Sequence, residues 1–237
     1  MDPNEPAERA VLARLFLHYP SSFVWVGGSV LQLIFHSPRS SYDLDLTPIG
    51  EPTPTTAVAA VISDALREFN GLEGGAFQLA ETESGASFVR FRIKAAGKAA
   101  FTVDLVRMGG QAVSGTRTLL MASPLGPATV LIPKDAYLLA GKLSTFLLRT
   151  YPKPGDLFDV WFLHDRGIRL SKSERQALAD TLAFAEIDLE AACSRLKKFD
   201  NPAWIAALER AGVKGLTKAS AAQLVATVRR VIEEVFA

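Results

Sequence analysis

The chain has 237 residues, 49% apolar and 22% charged, with 26 Lys plus Arg against 25 Asp plus Glu and a formal net charge of +1. That composition excludes disordered, collagen-like and coiled-coil chains and leaves ample apolar mass for a core. One cysteine, Cys193, excludes an intramolecular disulfide and a cysteine-rich zinc site, and the near-neutral balance excludes attachment to nucleic acid by bulk charge but not a local basic patch.

Asp2, Glu5 and Glu8 precede any apolar run, which is unlike an export signal. No apolar stretch approaches the roughly 20 residues that span a bilayer, so a cytoplasmic protein with no membrane partner is expected. Residues 8–19 form an amphipathic helix with Val11, Leu12, Leu15 and Phe16 on one face. Residues 23–26 read as a buried strand ending in the Gly27-Gly28 turn, and Ser29 stands where a helix N-cap would open residues 30–35. Residues 41–46 alternate, with Tyr42, Leu44 and Leu46 on one side and Ser41, Asp43 and Asp45 on the other. After a proline-rich connection at 48–54, Thr55 or Thr56 caps a helix whose Val58, Val61, Ile62, Ala65, Leu66 and Phe69 recur at helical spacing.

Beyond a turn at 71–75, strands are expected at 77–80, 87–94 and 100–107, the last two joined by a hairpin at 95–98. Residues 109–127 are a loop or lid holding a strand candidate at 118–121, and 129–132 is a short apolar run. Pro133 suits the first turn of a helix reaching about residue 149. Pro152 and Pro154 end it, a second helix follows at 156–164, Ser171 or Ser173 caps another, and residues 220–236 are amphipathic. Strands and helices alternate before residue 132 and helices alone follow. The fold class is therefore α/β (mixed α+β), with a catalytic domain at 1–132 and a helical C-terminal domain at 133–237.

The chemistry concentrates between residues 24 and 46. Asp43 and Asp45, two apart on a strand, repel each other unless a cation lies between them, and paired carboxylates suit Mg2+ or Mn2+. Gly27 and Gly28 allow backbone N–H groups to approach a phosphate, with Ser29 opening a helix beside them. Asp104 is the one acid in the apolar run 101–106 and sits on a later strand that would let it face the pair. Three aspartates holding metal, with an NTP as substrate, describe phosphoryl or nucleotidyl transfer.

Gly27-Gly28-Ser29 followed by Arg39-Ser40-Ser41-Tyr42-Asp43-Leu44-Asp45-Leu46 resembles the signature of the AbiEii/AbiGii-type nucleotidyltransferase toxin family, which includes the MenT toxins and belongs to the polymerase-β-like nucleotidyltransferase superfamily. Lys142, Arg149, Lys153, Asp156 and Asp159 are similar to its second motif, except that Pro154-Gly155 separates the basic residue from the aspartate. The resemblance covers about two-thirds of the chain. It implies a nucleotidyltransferase-type mixed sheet flanked by helices and followed by a helical bundle. It also implies that Gly27, Gly28 and Ser29 hold the triphosphate, that Asp43 and Asp45 bind metal, that Lys142 contacts a phosphate, and that Asp156 or Asp159 completes the site. Ser41 corresponds to the serine before the first metal-binding aspartate, a target for inactivating modification. The acceptor implied is a tRNA 3′ end or a protein hydroxyl, and the implied role is that of a toxin paired with an antitoxin protein.

Blander readings stand beside these. Asp104 also fits an edge-strand acid, Lys142 a snorkelling lysine, Asp156 a helix N-cap, and Arg39 either a phosphate contact or the partner of an aspartate. Trp161 and Phe162 read as core. Lys197-Lys198 and Arg229-Arg230 read as solvated helix faces or part of a basic groove for RNA. Alternative functions are nucleotidyl transfer to a small molecule such as an antibiotic, or a catalytically inactive nucleotide- or partner-binding module.

Overall fold

The structure, a computed structural model, describes residues 3–50, 53–106, 115–201 and 203–237. The strand end expected at Arg107, the loop at 109–114 and part of the connection at 48–54 lie outside the described residues. The chain divides into two compact units, Met1–His36 with Ser40–Pro133, and Ser37–Arg39 with Lys134–Ala237.

The first unit is built on a five-stranded sheet of β1 (Phe23–Val26), β2 (Asp43–Pro48), β3 (Phe77–Ser84), β4 (Phe88–Ala95) and β5 (Lys98–Val106), in the order β1-β2-β5-β4-β3. Strands β2 and β5 run parallel and the other pairs antiparallel. Side chains alternate across a strand, so register assigns the faces. Leu44 lies opposite Val103, Leu46 opposite Leu105, and Phe91 and Ile93 opposite Val103 and Phe101, all buried. Helix α3 (Thr55–Glu73) packs against the sheet through Val58, Ile62, Ala65, Leu66 and Phe69, with Phe69 edge-on to Phe77. Each buried aliphatic or aromatic side chain contributes about 1.5–3 kcal/mol of transfer energy, which fixes this face inward. The opposite face then carries Asp43, Asp45, Thr102, Asp104, Arg90 and Arg92 by the same alternation.

Helix α1 (Glu5–His18) packs on α3 and on β7 (Ala128–Pro133), which pairs with β6 (Thr116–Met121) in a separate hairpin. The short helix α2 (Gly28–Leu33) begins two residues earlier than its sequence suggests, with Gly27 as N-cap at φ +86°. A left-handed φ of that kind suits glycine, which displaces Ser29 from the cap into the helix. Neither Thr55 nor Thr56 caps α3, whose N-cap is Pro54 with no side-chain cap bond. Tyr42 lies just before β2 and is 51% exposed, so it does not join the buried row of Leu44 and Leu46.

The second unit is helical: α4 (Asp135–Leu148), α5 (Pro154–Asp165), α6 (Lys172–Phe184), α7 (Leu189–Ser194), a 3-10 turn at Arg195–Phe199, α8 (Ala203–Arg210) and α9 (Lys218–Val235). Pro133 ends β7 rather than opening α4, whose N-cap is Lys134. A residue without an N–H is tolerated at that strand end. Helix α5 packs against α4, α8 and α9 through Leu157, Phe158, Val160 and Leu163. Phe162 is buried with them. Ser171 caps α6 in a reciprocal capping box with Glu174, and Thr217 does the same for α9 with Ser220. Among the described residues no helix is long and apolar enough to cross a membrane.

Candidate functional site

The charged face of the sheet brings three of the singled-out acids together. Asp43 and Asp45 share a face of β2, and Asp104 of β5 is the direct register partner of Asp45. Adjacent strands lie about 4.8 Å apart, so two carboxylates confront each other across the ladder. The Thr102 hydroxyl donates to Asp43 Oδ1 at 2.9 Å. The glycine turn reaches the same place, because a Cβ added to Gly27 would lie 2.1 Å from Asp45 Oδ2. Only a residue without a side chain lets this backbone rest against the carboxylate.

Asp104 differs from the other two. It is 4% exposed, and Arg90 grips it, Nε donating at 2.9 Å to Oδ1 and Nη2 at 2.5 Å to Oδ2. The hydrogen bonds to Asp104 raise the Arg90 pKa well above its ordinary value, locking the guanidinium in its charged form. Arg90 also lies 5.7 Å from the centroid of Phe88, so it is held from two sides. Of the three expected metal ligands, Asp104 is thus the one already ion-paired within the sheet. Among the described residues no group of three or more His, Cys, Asp or Glu is placed to hold a metal ion. Asp43 and Asp45, all-oxygen donors beside a glycine turn, do fit Mg2+ or Mn2+, which complete their shells with water and substrate phosphate.

Ser29, expected beside the triphosphate, lies in the core. It is fully buried, and its Oγ accepts from Trp25 Nε1 at 2.9 Å, so the side chain anchors the turn to β1. Gly28 is buried as the first residue of α2. Ser41 is buried too, its N–H donating to Gln32 Oε1.

The second motif forms a separate array inside the helical unit. Asp159, fully buried on α5, accepts from Arg39 Nε and Nη2 at 2.8 Å each and from Lys142 Nζ at 2.8 Å. Arg39 is therefore the partner of an aspartate. Gly155 leaves space beside it, since a Cβ there would meet the guanidinium at 3.3 Å, which gives the Pro154-Gly155 departure a packing role. Asp156 pairs with Arg149 at 2.9 Å and sits in the first turn of α5, whose N-cap is Lys153. Asp159 is thus a neutralised hub and Asp156 an ion-paired first-turn acid. Arg90 went unnoticed in the sequence. Its signal is the basic–apolar alternation of Arg90, Arg92 and Lys94 on a strand that neighbours the acid-bearing one.

The sequence matches the family described as nucleotidyl transferase AbiEii toxin of type IV toxin–antitoxin systems over residues 10–228. No curated protein matches it. Among solved structures, MenT4, a nucleotidyltransferase toxin from Mycobacterium tuberculosis H37Rv, is 15% identical with a TM-score of 0.54, covering 98% of this chain and 90% of its own. JHP933 from Helicobacter pylori is 16% identical with a TM-score of 0.51, covering 98% and 90%. At these identities the likeness shows a shared fold.

Proposed function

We propose, for a chain that belongs to the AbiEii nucleotidyltransferase toxin family and is a nucleotidyltransferase by that membership, that the charged sheet face is its reaction centre. The observation that carries this reading is the contact of the Gly27 backbone with the Asp45 carboxylate, on the face that also bears Asp43 and Asp104. It puts close-approach backbone and paired anionic oxygens at one point, as a metal-bound polyphosphate requires.

In this reading Asp43 and Asp45 hold the divalent ion, Mg2+ or Mn2+, which would offset charge on the NTP phosphates. The Gly27-Gly28 turn admits a phosphate to the backbone. Arg90 holds Asp104 fixed opposite Asp45, and the Thr102 hydroxyl orients Asp43. Within the helical unit Asp159 holds Lys142 while leaving it N–H groups to donate to an anion. An acceptor hydroxyl oxygen bonds to the α-phosphorus, and its proton passes to a neighbouring carboxylate. The bond from that phosphorus to the bridging oxygen breaks, and pyrophosphate leaves. The acceptor is a tRNA 3′ end or a protein hydroxyl, and type IV family membership points to an antitoxin as regulatory partner.

The test is incubation with labelled NTPs, Mg2+ and either total RNA or protein extract. Wild type should label one acceptor class and Asp43→Ala should label neither. Equal labelling by both would defeat the assignment.

A further inference from the structure

We infer that the connection between α4 and α5, with the adjoining 3-10 turn, is a binding surface for single-stranded RNA, on which Tyr151 stacks a base and the surrounding cations hold phosphates. This deepens the functional reading above, because it chooses RNA as the acceptor class.

The chain as a whole is balanced, yet residues 149–156 and 195–200 carry five cations, Arg149, Lys153, Arg195, Lys197 and Lys198, against two carboxylates, Asp156 and Asp200. Hydrogen bonds draw the two segments together. Arg195 Nη1 donates to the Arg149 carbonyl at 2.7 Å, and Lys198 Nζ to the Thr150 carbonyl at 3.1 Å. These bonds also satisfy carbonyls at the C-terminus of α4, which accounts for the cations as helix caps. Capping does not account for Tyr151. Its ring is 80% exposed, in a connection stiffened by Pro152 and Pro154, and the Lys198 ammonium lies 5.1 Å from its centroid.

The Tyr151 ring is met by the Lys198 ammonium and is otherwise open, so it offers a flat aromatic surface beside a cation. A nucleobase fits that surface, and its phosphates would lie among Lys198, Arg195 and Lys153. Stacking on an aromatic ring flanked by cations is the general chemistry of single-strand recognition, and every base offers a π-face. An acidic protein surface would satisfy the charges and leave the ring unmatched.

The experiment is fluorescence anisotropy of the full chain with a labelled single-stranded RNA oligonucleotide, at several salt concentrations and without NTP. Tyr151→Ala should weaken binding about tenfold and Tyr151→Phe should leave it within about twofold. Lys198→Gln should reduce the slope of log K against log salt by about 0.7. Tyr151 is exposed, so an unchanged thermal melt shows that the variants are folded. Equal RNA affinity for Tyr151→Ala and wild type overturns the inference, as does a poly-glutamate competitor that binds more tightly than RNA. A wild type that transfers nucleotide to protein and binds no RNA also overturns it, leaving the nucleotidyltransferase reading intact. RNA binding lost in Tyr151→Ala, in a chain that catalyses no NTP-dependent transfer, supports the surface and counts against the reaction centre instead.

Discussion

Arg90→Gln is the most informative perturbation of the sheet face. It removes the guanidinium from Asp104, leaving a 4%-exposed carboxylate opposite Asp45. Breaking a buried ion pair from one side costs roughly 3–5 kcal/mol. The Arg90 side chain is 34% exposed, so water screens part of the loss and about 2–3 kcal/mol is expected. In a chain of this length that lowers Tm by roughly 4–12 °C. Asp104→Asn alone leaves the more exposed partner unpaired and should cost about 1–2 kcal/mol. The double variant should be less destabilised than the two effects summed, with a coupling of about 1.5–2 kcal/mol in a urea double-mutant cycle. Loss of Arg90 also frees Asp104 beside Asp43 and Asp45. Millimolar Mn2+ should therefore raise the Tm of Arg90→Gln more than that of wild type. Additive single effects, within about 0.5 kcal/mol, would refute the claim that Arg90 is the internal counter-ion of this face.

Three further outcomes are expected. Asp159→Asn removes the charge that neutralises Arg39 and Lys142 in a fully buried position, and should cost about 3–5 kcal/mol in denaturant unfolding. Gly27→Ala places a Cβ into Asp45 Oδ2 at φ +86°, and should abolish labelled transfer while lowering stability by about 2 kcal/mol or more. His164 is buried, and desolvation, with Arg169 nearby, lowers its pKa below the ordinary 6.5. The native state then binds this proton less readily than the unfolded chain. The stabilising contribution is present above pH 6.5 and is lost as pH falls through the lowered native value. Unfolding free energies measured between about pH 7 and 5 should decline less steeply for His164→Gln than for wild type.

The acid pattern was legible because strand alternation is strict. Leu44 and Leu46 bury one face, so Asp43 and Asp45 must share the other, and Asp104 follows from the same rule in β5. The partner of Asp104 was not legible. The β4–β5 hairpin pairs Ala95 with Lys98 and Lys94 with Ala99, and that register continued would set Arg90 opposite Val103. An irregularity between Ile93 and Lys94 shifts it by one residue and places Arg90 opposite Asp104. The shift lets Phe91 and Ile93 meet Val103 and Phe101 on the buried face, a tertiary demand that local sequence does not announce. Ser29 failed for a similar reason. Its composition suits a cap, but the backbone at Gly27 takes the left-handed φ and the buried Trp25 indole needs an acceptor. The second motif was readable as a cluster of charges. Its internal pairing was not, because Arg39 lies 120 residues from Asp159 in the chain.

The central claim is that Asp43 and Asp45, against the Gly27 turn, form a divalent-cation and polyphosphate site. Titration of Mn2+ into the full chain with a non-hydrolysable NTP analogue, followed by electron paramagnetic resonance, tests it without requiring turnover. Saturable Mn2+ uptake is expected in wild type and in the surface control Asp64→Asn, and weakening of at least about tenfold in Asp43→Asn and Asp45→Asn. Equal uptake by all four proteins would contradict the account.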